Sequence, residues 1–384
     1  MSVARFRTID TVSAHTIGAG GRSKFRRRET MVQNATASAS SEVGLVDPFA
    51  HGDWDQMVRM HAAATAFHSA AWARVLTETY GHKPLYLHFS QAGKTAALLP
   101  LIEVKSPVTG RRGVALPFSD LCPPLSFAGF DQRVLLEKLS VLADERQWKH
   151  FELRGAEFLR GIAPAVSSFY GHKLDLTPGP DQLQRRFAPN VGRNLRRAQQ
   201  SGVSVEVSRS REAIVSFYDL LVRTRRRHGV PPQSRKFFLN IHEHMVKPGC
   251  AFVVLASHAG RAIAGAVFFT FGNNALYKFG ASDERVQHLR ANNLVMWEGI
   301  RSLAEAGART LHFGRTARDN EGLRRFKLAW GAEEEIVEYF RFERVTGKWS
   351  TGGRDLTARA GLAFRNLPLA VNRLIGTLVY PHLD

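Results

Sequence analysis

Residues 250–281 read CAFVVLASHAGRAIAGAVFFTFGNNALYKFGA, and the reading of this stretch decides the fold. Three apolar, β-branched and aromatic runs, 250–257, 261–271 and 275–281, are separated by His258-Ala-Gly260 and Gly272-Asn-Asn274. Gly and Asn supply the positive φ that tight turns demand, so the three runs predict an antiparallel meander. Upstream, Val203–Ser208 alternates apolar and polar residues like a half-buried strand. Residues 211–228 put Ile214, Phe217, Tyr218 and Leu221 on one helical face and end at Gly229. Pro231-Pro232 forces a turn, after which Ser234 caps a helix burying Phe238, Ile241 and Met245. Downstream come a helix over about 290–306, a short strand at 310–313 and a helix over about 319–330. A last strand runs through 336–342, and Gly307, Gly314 and Gly331 close the three elements before it. The order is β-α-α-β-β-β-α-β-α-β.

The first half repeats much of this order. Helices at 54–64 and 69–80 precede strands at 84–90 and 95–105, then a strand near 114–118 and a proline-rich loop. A helix at 131–147 leads to a strand at 150–153, and a last strand covers 172–176. Lys149–Gly155 and Thr310–Arg315 each follow a helix at the same stage of their half. The pattern predicts an α/β (α+β) chain of two tandem domains, each a mixed, mostly antiparallel sheet flanked by helices. The expected divisions are a disordered basic tail over 1–42, domains over 43–178 and 179–345, and an amphipathic extension over 346–384. At 384 residues, 44% of them hydrophobic, the chain has the apolar side chains for two cores.

Composition narrows the function. Cys122 and Cys250 lie far apart with no CxxC spacing, which argues against a disulfide framework or a cysteine zinc site. His242-Glu-His244 diverge on a helix, so no metal site is expected there. No apolar run approaches the ~18 residues of a membrane span, and Arg26-Arg27-Arg28 is not followed by a signal-peptide core. The expectation is a cytoplasmic protein, with a peripheral place at the inner membrane face as an extension of it. Net charge is +19, and thirteen Arg or Lys residues within 185–236 face only Glu206, Glu212 and Asp219. That excess fits either a solubilising surface or a polyanionic partner such as RNA, a nucleotide diphosphate or an anionic membrane.

The element order is that of the GNAT acyltransferases, and the chain resembles their FemAB family. The resemblance rests on Arg193–Val203, on Phe279-Gly-Ala-Ser282 before a helix with Trp297, and on Phe313-Gly314 through Gly322–Lys327 to Trp330-Gly331. Leu116–Asp120 with Pro123-Pro124-Leu125 is similar to FemAB-related proteins of exopolysaccharide gene clusters. The resemblance implies two GNAT-like domains that move an acyl or aminoacyl group from an activated donor to an amine or hydroxyl. The donor would be aminoacyl-tRNA or acyl-CoA, with no tightly bound cofactor. The acceptor would be a glycan- or peptidoglycan-type envelope or exopolysaccharide precursor.

Acyl transfer needs a donor that stabilises the tetrahedral oxyanion. Lys327, matching the family's lysine, is the expected cation for that charge or for a donor phosphate, against the reading of a solvated lysine. Asp120 is expected to orient the acceptor, against a loop-capping role. Arg193, Arg196 and Arg197, on a helix that Asn190 could cap, are phosphate-binding candidates or an exposed basic face. Arg285, Arg290, Arg315 and Arg324 join them. Residues 282–293 lack the glycines with which CoA-binding loops approach a pyrophosphate, although Arg285, Gln287 and Arg290 are present. His312 is read as a satisfied core histidine rather than a general base. Two rival readings are an acetyl-CoA-dependent N-acetyltransferase and a non-catalytic RNA- or anion-binding protein. The segment 357–383, with a helix over 369–379, either packs on its own domain or meets an anionic membrane.

Overall fold

The computed structural model describes residues 41–352 and 364–383. The first half contains β1 (Ser41–Val46), α1 (Trp54–Arg59), α2 (Ala70–Tyr80), β2 (Lys83–Pro84), β3 (Tyr86–Gln91), β4 (Lys94–Leu99), β5 (Ile102–Ser106), β6 (Gly110–Val114), β7 (Leu125–Ser126), α3 (Gln132–Glu145), β8 (His150–Arg154) and β9 (Ser167–Asp175). The second contains α4 (Pro180–Arg186), α5 (Pro189–Gln200), β10 (Ser204–Ser208), α6 (Arg211–Arg227), α7 (Arg235–Ile241), β11 (Ala251–His258), β12 (Arg261–Phe271), β13 (Asn274–Ser282), α8 (Ala291–Glu305), β14 (Thr310–His312), β15 (Thr316–Ala317), α9 (Glu321–Leu328) and β16 (Glu333–Glu343). β17 (Lys348–Trp349) and α10 (Leu369–Val379) follow.

Local chemistry sets the element ends. Ser69, Ser210 and Ser234 each accept a hydrogen bond from the first turn of α2, α6 and α7. Gly81 closes α2 in the left-handed region. The strand expected over 95–105 is two strands, because Pro100 has no N–H to give a ladder. β4 joins the small sheet β1-β3-β4-β7, whereas β5 joins the large one. The strand expected at 114–118 lies at 110–114, since Leu116 and Phe118 take positive φ around Pro117. Asn190 does not cap α5: Ala188 is the N-cap and Pro189 occupies the first turn. The basic tail lies outside the described residues except at its end, where positions 41 and 42 are strand.

The meander β11-β12-β13 is antiparallel, as the turns at 258–260 and 272–274 require. β13 and β14 are parallel, and so are β6 and β8, which marks the internal repeat. The large sheet runs β10-β11-β12-β13-β14-β9-β16-β8-β6-β5-β2. β9, the last strand of the first half, sits between β14 and β16 of the second. β16 in turn sits between β9 and β8. The expected border near residue 178 is therefore a border in sequence and not in the hydrogen-bonded sheet. The two mixed sheets are joined by exchange of their final strands.

Helices cover both faces of the second half. α5 and α8 bury Leu195 and Ile300 with Phe268 and Trp330 on one face. On the other, α2 of the first half packs with α6 and α7, so that Trp72 meets Phe237 at 5.9 Å and Phe269 at 5.7 Å. Each such fully buried aromatic contributes about 2–3 kcal/mol. The exchange makes a direct prediction. Fragments 41–178 and 179–384 expressed apart should lack cooperative unfolding, and co-expression should restore one cooperative transition. Independent folding of either fragment would contradict the exchanged sheet.

Candidate active site between the two halves

β13 and β14 pair only over Asn274–Leu276 and Thr310–His312. Beyond that β13 continues with β12, while the other chain turns at Gly314 (φ 69°) into β15, which pairs with β9. A wedge opens between Tyr277–Ser282 and Phe313–Thr316. The β12–β13 register shifts here: Val267 faces Phe279 and Phe268 faces Tyr277, so Lys278 is the extra residue of a bulge.

The bulge sends Lys278 into the other half. Its ammonium donates to the Phe118 carbonyl at 2.6 Å and to Asp120 Oδ2 at 2.9 Å, near the Phe67 ring. The receiving loop is held from several sides. Ser119 Oγ donates to the Leu116 carbonyl at 2.6 Å, and Arg154 donates to the Ser119 carbonyl at 3.1 Å. The Tyr339 hydroxyl donates to the Asp120 carbonyl at 2.8 Å and accepts from Arg315 at 2.9 Å. Leu116 and Phe118 hold positive φ, a backbone cost of ~1–3 kcal/mol each that persists only where surroundings over-determine it.

Asp120 is thus no open carboxylate waiting for an acceptor. Burial pushes its carboxyl up, but Lys278 and Arg315 outweigh burial and leave it below its ordinary value. It is an anion paired across the two halves, and removing one member of so buried a pair costs about 3–5 kcal/mol. The sequence reading missed Lys278. Its signal was a lone lysine between aromatics in the apolar run ALYKFGA.

Lys327 is also corrected. It closes α9 as expected, but its buried ammonium donates to the carbonyls of Gly314 at 2.8 Å and Arg315 at 3.3 Å. It ties α9 to the edge of the wedge and lines neither recess described below. Arg324 is held by both oxygens of Glu334 at 2.7 and 2.9 Å and stacks on Tyr170, so it is an internal brace. Arg315 lies over Phe169 and Tyr339, 3.9 Å from Asp120. Arg193, Arg196 and Arg197 point to solvent from α5 and line neither recess.

A cavity of about 480 Å³ lies between the halves at the closed end of the wedge, with Phe67 and Gln132 on one side and Asn274 and His312 on the other. Its lining is largely apolar, with a few polar groups. Ser126 Oγ and Gln132 Oε1 are buried there without partners, and Glu157 makes no ion pair among the described residues. His312 Nδ1 accepts from the Gly314 amide at 3.0 Å, which leaves Nε2 to donate to Glu335 at 3.2 Å. Both ring nitrogens are engaged, as the core reading expected. Burial pushes the Glu335 carboxyl up, yet His312 and Lys173 outweigh it and bring it to about 2.

The second recess, about 220 Å³, opens at the far end of β13 and is lined by Ser282, Asp283, Arg290, Asn293 and Phe326. It meets the N-terminus of α8, which has no side-chain cap; the Asn293 amide donates to the Arg290 carbonyl at 3.0 Å, and the positive end of the helix at Ala291 and Asn292 faces the recess. Sequence reasoning counted the missing glycines against such a site. Here Arg290 itself adopts φ 59° and makes the left-handed turn. Arg285 is instead tied to Asp283 at 2.9 Å, on the neighbouring surface. In the wedge, Tyr277 lies near Phe268 and Phe313, and its hydroxyl has no hydrogen-bond partner among the described residues. A Cβ at Gly280 would collide with that hydroxyl, and burial raises it to about 12. Among the described residues no cluster of His, Cys, Asp or Glu fits a metal ion.

Burial drives the Lys327 ammonium down to about 8. From there up to the ordinary 10.5 the unfolded chain binds more protons than the folded one, so this group makes stability rise with pH across the window. The stability difference between wild type and Lys327→Met should therefore shift toward wild type by roughly 3 kcal/mol across it. Urea unfolding at several pH values checks this, and a flat difference would contradict the buried ammonium.

Residues 185–334 match the family model described as acetyltransferase (GNAT) domain. No curated protein matches the chain. Among solved structures, FemX superposes with a TM-score of 0.62 at 15% identity, covering 77% of this chain and 96% of that one. A tandem GNAT protein from the clavulanic acid biosynthesis pathway gives 0.54 at 15% identity, with 79% and 99% covered. The C-terminal domain of a putative lysylphosphatidylglycerol synthetase from Agrobacterium fabrum gives 0.50 at 14%, with 85% and 97% covered. At these identities the likeness is one of fold. Residues 185–334 thus match the GNAT acetyltransferase domain, and the chain as a whole has the tandem-GNAT fold that it shares with FemX.

Proposed function

We propose that the chain transfers an acyl or aminoacyl group from a phosphate-bearing donor to an amine or hydroxyl held in the cavity between the halves. The observation that carries this reading is the wedge itself: an uncapped helix N-terminus opens at one end of β13 and a cavity at the other. The donor's phosphates rest on the α8 amides and Arg290, and its acyl arm follows β13 toward the bulge. The acceptor's lone pair attacks the carbonyl, and the tetrahedral oxyanion meets the Lys278 backbone amide, which has no ladder partner in the register. The intermediate collapses with loss of the thiolate or ribose oxygen, which takes a proton from Tyr277; the acceptor nitrogen or oxygen releases its own proton to solvent, and solvent returns one to the phenolate. Tyr277 suits donation rather than acceptance, because burial keeps its phenol protonated.

The carboxylate of Glu157 and the unpartnered Ser126 and Gln132 oxygens favour an acceptor with an ammonium or hydroxyl groups. An envelope or exopolysaccharide precursor, the acceptor that the FemAB resemblance implies, fits that description. The α8 recess favours an acyl-CoA donor. The exposed arginines of α5 are the one observation that favours aminoacyl-tRNA.

Mass spectrometry of small molecules co-purifying with the protein, with thermal shifts in acetyl-CoA and in charged tRNA, identifies the donor class; binding of neither would overturn the reading. Arg290→Gly keeps the turn and should weaken donor binding about tenfold, the size of one charge-assisted hydrogen bond. An unchanged Kd would remove Arg290 from the site. Tyr277→Phe should lower kcat about a hundredfold with KM little altered. Full turnover by that variant would leave the leaving-group proton to another source.

A further inference from the structure

The C-terminal helix α10 is fixed to the protein by one face only. Asn372 is fully buried, and Gly376 lies so close to the Pro232 carbonyl that any side chain there would collide with it. Arg373 pairs with Asp219 of α6 at 2.7 Å, and the Tyr380 hydroxyl donates to the Pro231 carbonyl at 3.1 Å. The opposite face carries Ala370, Val371, Leu374, Thr377 and Leu378 and no charged residue. Leu374 and Leu378 are 59% and 61% exposed. On a chain of net charge +19, an uncharged helical stripe turned outward needs a partner.

The surroundings indicate which partner. Leu369, at the start of α10, forms part of the wall of a basic recess of about 470 Å³. Arg223, Arg226 and Arg227 of α6 enter it with Arg261, Arg285 and Arg365. Two acidic residues face these six: Asp283 is held by Arg285, and Glu284 lies 3.8 Å from Arg227. Arg223, Arg226, Arg261 and Arg365 make no hydrogen bond or ion pair among the described residues. Unpaired guanidiniums beside an apolar helical stripe match the two layers of a bilayer surface, phosphate headgroups above and acyl chains below.

We propose that α10 and the arginine recess form a peripheral docking surface for an anionic phospholipid bilayer. Leu374 and Leu378 enter the acyl boundary while Arg223, Arg226, Arg261 and Arg365 hold lipid phosphates. The surface is separate from the cavity between the halves and adjoins the α8 recess only through Ser282 and Asp283.

Vesicle co-sedimentation of the full chain tests this with phosphatidylcholine alone and with added phosphatidylglycerol. Binding should require phosphatidylglycerol and weaken with salt. Leu374→Gln with Leu378→Gln should reduce it about tenfold or more, and Arg223→Gln with Arg226→Gln by a comparable factor. Unchanged thermal unfolding confirms that these exposed substitutions leave the fold intact. Equal binding to both vesicle types would overturn the proposal. So would RNA binding lost in the arginine variant with vesicle binding untouched, or a dimer seen by light scattering that the leucine variant abolishes.

Discussion

The pairing of β9 with β16 is the constraint on which the rest of the protein depends. Seven residues of each strand face one another, from Lys173 and Glu333 to Ser167 and Tyr339. Each strand ends its own half in sequence, and each completes the sheet beside the other half. Neither sheet closes without its neighbour. This fixes the loop at 116–120 relative to the bulge at 278 to within hydrogen-bond tolerance. A buried pair such as Asp120 and Lys278 needs that fixity, because desolvation cancels its Coulombic gain unless geometry and further hydrogen bonds are good. Here the Phe118 carbonyl supplies the ammonium with a second acceptor.

The same rigidity shapes the proposed chemistry. Three charged side chains around the wedge are already committed: Lys278 to Asp120, Lys327 to two carbonyls, Glu335 to His312 and Lys173. None of them is placed as a mobile base. What remains for a reacting group is a bulged strand amide, a phenol and a helix N-terminus. Preorganised donors of this kind need no reorganisation during reaction, and a single one is worth about 3–4 kcal/mol of barrier. Proton removal from the acceptor then falls to solvent and to the acceptor's own acidity.

Much of the architecture was legible in the sequence because local signals agreed. Hairpin tips at 258–260 and 272–274, the serine cap at 234, and glycine stops after α8, β14 and α9 all mark real ends. The exchange of β9 and β16 was not legible, since periodicity tells that a strand exists and not which strand it joins. Pro100 hid a change of sheet inside what looked like one apolar run. The candidate site was read less well. Lys327 and Asp120 stand at the junction of the halves, but sequence could not show that both spend their charge inside the protein. Arg290 was valued for its charge, whereas its left-handed backbone, which replaces the expected glycine, is visible only in three dimensions. Arg324 was misread because its partner Glu334 lies across a turn, beyond any helical spacing.

The central claim is that the wedge between β13 and β14 holds the donor, with its reactive carbonyl at the Lys278 amide. A crystal structure with a non-hydrolysable thioether analogue of acetyl-CoA measures this most directly. The account predicts phosphates on the first turn of α8 and the carbonyl oxygen within about 3 Å of the Lys278 nitrogen. An analogue seated anywhere outside the wedge, with that amide untouched, would contradict it.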